Sequence, residues 1–275
     1  MQPINFKYTD RPPCSFRARF QRYDLAMCSH FESVTDHVQL NQHFNVSLPL
    51  RPSASGVSGV GGAPIPPGVQ DVWPTYLATF IRRPLESDSG DDAVPAREVL
   101  TGQFGLLPHW AKDETLGRRT FNARSETVAV KPSFRDAWRD GQRCIIPATA
   151  IYEPDWRSGK AVPTRITRTD GQPMGIAGLW SWWKSPKGQV VHSFTMLTIN
   201  ADDHSLMNQM HKPGDEKRMV VILEEGRFDE WLTAPVSQCR ALIRAYPAAC
   251  LSSQAQPVRS GPVTPGLQLG LLDAV

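Results

Sequence analysis

From residue 76 onward this chain is dominated by short runs rich in β-branched and aromatic residues, and that pattern most narrows what it can fold into. The runs read YLATFI, REVLTGQFGLL, RCIIPATAIYE, PTRITRT, MGIAGLWSWW, VVHSFTMLTI and RMVVIL. Each has strand length and is bounded by Gly, Pro, Ser or Asp. Helical patterns are few: a short one between Met27 and Leu50 carrying Val34, Val38 and Leu40, and others near 133–140, 226–232 and 236–246. Many strands with few helices predict an α+β domain with a largely antiparallel sheet rather than a βαβ repeat. The polar segment ESDSGDDAVP at 86–95 reads as a hairpin-type connection between two of the strands.

The ends and one internal stretch differ from this body. Residues 1–26 lack either periodicity and are interrupted by Pro12-Pro13, so they read as a detachable leader. Residues 51–70 (RPSASGVSGVGGAPIPPGVQ) are too rich in Gly, Pro and Ser to bury apolar surface and read as a surface insertion. The domain is expected over 27–250, with a tail from 251 to 275.

Composition excludes several classes. With 40% hydrophobic and 21% charged residues the chain is neither fibrous nor wholly disordered. A net charge of +3 permits a nucleic-acid partner without requiring one. The five cysteines are widely spaced with no C-x-x-C pair, as expected of reduced thiols in a cytoplasm. There is no signal-peptide h-region and no run approaching the roughly 18 apolar residues of a membrane span. G-x-G-x-x-G and P-loop motifs are absent, so no nucleotide cofactor is expected.

Four segments place reactive or orienting side chains beside turn-forming or strand-ending residues: Met27-Cys28-Ser29-His30, Phe121-Asn122-Ala123-Arg124-Ser125-Glu126-Thr127, Ile151-Tyr152-Glu153-Pro154, and Met210-His211 with Arg218-Met219. Singly, each has an ordinary structural reading: a buried thiol, a turn asparagine, a strand-end carboxylate, a capping histidine. Only the fold can bring them together.

In this order, and with Phe104-Gly105-Leu106-Leu107-Pro108-His109-Trp110 and Arg143-Cys144-Ile145-Ile146-Pro147-Ala148 between them, the segments resemble the SRAP family of SOS-response-associated, abasic-site-processing proteins. The match runs from Met27 to about Ala245. The resemblance implies a single α+β domain with a barrel-like sheet, a basic groove for single-stranded DNA, and loss of the initiating Met so that Cys28 becomes the terminal residue. Such a cysteine condenses through its amine and thiol with the ring-opened aldehyde of an abasic site, giving a thiazolidine cross-link. An α-amino group with a pKa near ~7.7–8.0 is partly neutral and nucleophilic at cytoplasmic pH, whereas an amide nitrogen cannot form an imine.

By the same resemblance Glu153 moves protons as the carbinolamine loses water, His211 is a general acid–base near the deoxyribose, and Asn122 orients the terminal amine or sugar oxygens. Arg124 and Arg218 hold phosphates. Arg118, Arg119, Arg135, Arg139 and Arg143 either extend the groove or form an ordinary solvated face. This chain departs from the family pattern at Ser29-His30, where the family has Gly-Arg, so His30 stands in for a phosphate-binding arginine. It departs again at Glu153-Pro154, which moves the aromatic wedge to Trp156, and in the long His211–Arg218 link. Alternative readings are a thiol autopeptidase built on Cys28 and His211, a non-catalytic DNA-binding relative, and a zinc module using Cys28, His30, His37 and His43. No metal is expected in the favoured reading.

Overall fold

The computed structural model describes residues 28–46 and 70–255. Along them run strands β1 (His30–Ser33), β2 (Gln70–Val72), β3 (Leu77–Arg82), β4 (Glu98–Phe104), β5 (Asn122–Arg124), β6 (Arg143–Asp155), β7 (Val162–Arg168), β8 (Met174–Lys184), β9 (Val190–Asn200), β10 (Arg218–Val220), β11 (Ile222–Leu223) and β12 (Leu251–Ala255). Four α-helices accompany them: α1 (His37–Phe44), α2 (Arg135–Arg139), α3 (Phe228–Thr233) and α4 (Val236–Cys239). The α+β class and the barrel-like sheet expected from the sequence are both present.

Five strands close the barrel in the order β8-β9-β4-β3-β6, with β6 pairing back onto β8. Four of the five pairings are antiparallel; β4 and β9 run parallel at Gln103↔Ser193 and Phe104↔Phe194. Alternation then sorts side chains to two faces. Phe80, Phe104, Ile146, Trp180, Phe194 and Met196 belong to one cluster. Their neighbours Ile81, Ile145, Leu179 and Leu197 pack with the helices' Leu40, Phe44, Trp138 and Trp231 in another. Gly178 marks how tightly the strands approach, because a Cβ there would lie 2.3 Å from Ile146 Cδ1. Gly105, at φ +119°, lets the chain turn after β4 where a Cβ would meet Gly117 O at 2.2 Å.

The 13-residue β6 is the organising strand. Its first half pairs with β8 and β3, and its second half pairs with β1 and β7. The handover falls around Pro147, whose missing N–H suits a change of ladder while its carbonyl accepts from Val34 N. Glu153, near the end of β6, is thereby carried to the strand that begins two residues after Cys28.

Several expectations are corrected. The helix expected between Met27 and Leu50 is preceded by a strand, so Val34 lies before α1, and Val38 faces solvent at 60% exposure. Asp36 caps that helix by accepting from Gln39 N at 2.8 Å. RMVVIL is two strands rather than one: Val221 donates to Leu197 O and accepts from Ala177 N, so β10 continues the β9 ladder and β11 joins β8. The helix expected at 236–246 ends at Cys239 and gives way to a 3-10 turn at Arg240–Leu242. The segment read as a tail opens with β12, which pairs with β7. The leader at 1–26, the insertion up to residue 69 and the tail beyond 255 lie outside the described residues.

Candidate active site

Cys28, Asn122, Glu153 and His211 converge from four separate parts of the chain, and all four are buried. Cys28 immediately precedes β1 and joins the interior cluster. Asn122 opens β5, held parallel to β9 at Met196, and its Nδ2 donates to Cys28 O at 2.8 Å. That bond fixes the backbone of Cys28. Asn122 Oδ1 is buried without a hydrogen-bond partner.

Glu153 lies against both Cys28 and His211. Burial raises its pKa from 4.5 to about 7, while the neighbouring His211 and the Cys28 thiol pull it back down. Neither of its carboxyl oxygens has a hydrogen-bond partner, and Oε2 stands 3.5 Å from His211 Nε2. The Cys28 thiol is pushed well above its ordinary value, first by burial and then by the adjacent Glu153 carboxylate. It is therefore a protonated thiol, 3.7 Å from His30 O, and not a thiolate paired with an imidazole.

His211 owes its place to backbone geometry. Its φ of +62° is left-handed, a conformation that costs a non-glycine residue on the order of 1 kcal/mol or more. Three contacts hold it there. His211 N donates to Pro154 O at 2.7 Å, Met210 bridges to Asp155, and Lys217 Nζ donates to the carbonyls of Met210, His211 and Lys212. His211 Nε2 is 3.2 Å from Arg218 O, an obligate acceptor, so Nε2 carries a proton, while Nδ1 is buried without a partner.

The expected DNA contacts divide. Arg124 is exposed, as a phosphate ligand requires, and forms an ion pair with Glu216 at 2.8 Å. Arg218 is 2% exposed and fully engaged, by Thr198, Glu216 and Glu126. His30 is buried rather than on the surface: it is 4% exposed, stacked between Trp73 and Tyr152 at 4.1 Å on each side, with Nε2 2.7 Å from Asp71 Oδ1. The cross-strand pairing of His30 with Tyr152 imposes that stack. Trp156 is half-buried just past β6. Arg143 is removed from any groove, since it is buried beneath Trp231 and donates to the carbonyls of Trp231 and Ala234. Arg118, Arg119, Arg135 and Arg139 are exposed, although Arg139 pairs with Asp136 and Asp140.

Sequence reasoning missed Glu126, Glu216 and Lys217. Their signal was present: Glu126 lies two residues after Arg124 inside the NARSET run, and Glu216 and Lys217 sit in the long link before Arg218. Among the described residues no group of three or more His, Cys, Asp or Glu side chains is arranged to hold a metal, which leaves the zinc reading without a site there. No helix among them is long and apolar enough to cross a membrane.

Comparison with known proteins identifies the family. The chain is 44% identical to a protein of known crystal structure from Bordetella bronchiseptica, with a TM-score of 0.69 over 84% of this chain and all of that one. It is 38% identical over 131 residues to the abasic site processing protein YoqW of Bacillus subtilis, covering 47% of this chain and 55% of that protein. It is 26% identical over 204 residues to the abasic site processing protein HMCES of Gallus gallus, covering 64% of this chain and 56% of that protein. The chain thus spans about half the length of these curated relatives. A family model described as SOS response associated peptidase (SRAP) matches residues 27–261, and the chain belongs to that family.

Proposed function

We propose that the protein processes abasic sites in single-stranded DNA by forming a covalent cross-link through Cys28 once that residue is the amino terminus. The observation that carries this reading is Glu153: a buried carboxyl with pKa about 7 and no hydrogen-bonded partner, in contact with both the cysteine and a histidine. A group poised near neutrality can both donate and accept a proton, as imine formation requires.

In the proposed sequence the neutral α-amine of Cys28 attacks the C1′ aldehyde of the ring-opened deoxyribose. The resulting carbinolamine loses its hydroxyl as water, with the proton supplied by Glu153, and the iminium nitrogen returns a proton to the Glu153 carboxylate to leave the imine. The thiol sulfur then adds to the imine carbon and its proton passes to the nitrogen, closing a thiazolidine with net loss of one water. Asn122, bonded to Cys28 O, orients the nucleophile, and His211 Nδ1 serves as a base toward the sugar. A protonated thiol fits this order, because sulfur acts second and on an activated carbon. A thiol peptidase needs the opposite, a thiolate held by a basic partner. Arg124 and Arg218 hold backbone phosphates, and Trp156 stacks beside the lesion.

Four forms of the protein test the reading against an abasic single-stranded oligonucleotide: the full chain, the full chain with Cys28→Ala, a form beginning at Cys28, and that form with Cys28→Ala. A denaturant-resistant adduct is expected only from the form with a free Cys28 amine. Adducts of equal yield from the Cys28→Ala form sink it. Loss of residues 1–27 from the full chain, even with Cys28→Ala, assigns the removal to another enzyme.

A further inference from the structure

Arg124 and Arg218 both place a guanidinium nitrogen on one carboxylate, that of Glu216. Arg218 Nη1 is 2.6 Å from Glu216 Oε1, and Arg124 Nη1 is 2.8 Å from Glu216 Oε2. Two guanidinium groups meeting the two oxygens of one carboxylate is also an arrangement that binds a phosphate. Here the chain itself provides the anion.

The consequences follow from counting donors. Arg218 donates through Nε to Thr198 Oγ1, through Nη1 to Glu216, and through Nη2 to Glu126 and Thr198 O, so each guanidinium nitrogen is engaged. With the side chain 2% exposed, an incoming phosphate has no route to it while Glu216 stays. Glu216 is the movable partner: its side chain is 39% exposed and stands at the end of the 211–218 link. The base of that link is fixed. Lys217 is pinned to three carbonyls, and its own N–H donates to Asp202. The carboxylate can therefore swing out without unfolding the loop or displacing His211.

We propose that Glu216 occupies the phosphate seat formed by Arg124 and Arg218, so that DNA binds by exchanging a backbone phosphate for this resident carboxylate. This rests on the reading that the two arginines contact phosphates. Glu216 then sets affinity. Undamaged single strands, which offer no covalent capture, are held weakly, because each binding event must displace an ion pair rather than release counterions alone.

The test measures binding of an undamaged single-stranded oligonucleotide to the full chain across a salt series, for the wild type and for Glu216→Gln, Glu230→Gln and Arg124→Gln. Glu230 is an exposed carboxylate paired with Arg227, remote in sequence, and controls for simple loss of one negative charge. Glu216→Gln should bind about tenfold tighter, the scale of one charge-assisted contact. Its slope of log affinity against log salt should match that of wild type, since the same backbone phosphate is seated in both proteins. Glu230→Gln should change affinity less than about twofold, the scale of an exposed charge. If Glu216→Gln leaves affinity unchanged or weakens it while Arg124→Gln also weakens it, the resident-carboxylate proposal is overturned and the phosphate role of Arg124 stands. If Arg124→Gln has no effect, the phosphate reading fails and the proposal falls with it. Glu216→Ala, with its melting temperature compared with wild type, repeats the measurement should the glutamine keep a hydrogen bond to either arginine.

Discussion

His211 Nε2 stands 3.5 Å from Glu153 Oε2, with both side chains 1% exposed. Two ionisable groups share a site from which water is excluded, yet neither carboxyl oxygen of Glu153 is hydrogen-bonded. Such a pair is poorly arranged for stability, since an uncompensated buried charge is costly. It is well arranged for moving a proton at neutral pH.

Glu153 makes stability depend on pH in a definite direction. Its folded pKa of about 7 lies above the ordinary 4.5, so between those values the folded state binds more protons than the unfolded chain. The stabilisation is fully present below about pH 4.5 and is lost as pH rises through 7. The shift corresponds to at most about 3 kcal/mol. Glu153→Gln removes the titration, so its unfolding free energy by denaturant should vary less than wild type between pH 5 and pH 8 and exceed it at pH 8. Equal slopes in the two proteins would exclude Glu153 as the source.

The same substitution should slow cross-linking by about 100-fold at pH 7, the typical contribution of a positioned acid or base. Binding of an undamaged oligonucleotide should be unchanged. Single-turnover adduct formation with the Cys28-initiated form measures the first quantity, and a rate within threefold of wild type removes Glu153 from the proton-transfer role.

Asn122→Ala leaves Cys28 O without its 2.8 Å donor. A buried unsatisfied group costs about 1–3 kcal/mol, and the melting temperature should fall accordingly. Cross-linking should drop further than the loss of folded protein explains, because the nucleophile is no longer held. Asn122→Asp, isosteric but lacking the donor, should fail to restore the rate.

His30→Ala should act as a core mutation and not as a DNA-binding one. It empties the slot between Trp73 and Tyr152 and removes the bond to the exposed Asp71. Each stacked pair contributes about 0.5–1.5 kcal/mol beyond its buried area. The expected result is a lower melting temperature with the salt slope of DNA binding unchanged; a slope shallower by one phosphate would return His30 to the DNA interface.

Arg143→Leu provides the matching case among the arginines. Its guanidinium is committed to the carbonyls of Trp231 and Ala234, so the variant should lose roughly 1–3 kcal/mol of stability. Affinity for single-stranded DNA, measured on the folded fraction, should equal wild type.

Which runs become strands was written locally: YLATFI, MGIAGLWSWW and VVHSFTMLTI combine β-branched or aromatic residues with turn-forming boundaries, and each became a strand of the barrel. The residue types of the site were legible as well, because Cys28, Asn122, Glu153 and His211 sit in motifs that survive as short words. Partner choice was not. Periodicity encodes which face of a strand is buried but not which strand lies beside it. The parallel β4–β9 contact and the return of β6 to β8 are properties of ring closure, and the break of RMVVIL at Val221 comes from pairing first with β9 and then with β8. The arginines show the same limit one level down. Arg143 and Arg118 are alike as letters, yet Arg143 is buried under a tryptophan while Arg118 is exposed. Charge is carried by the residue, whereas its availability depends on neighbours nearly a hundred positions away, and only the folded chain brings those neighbours together.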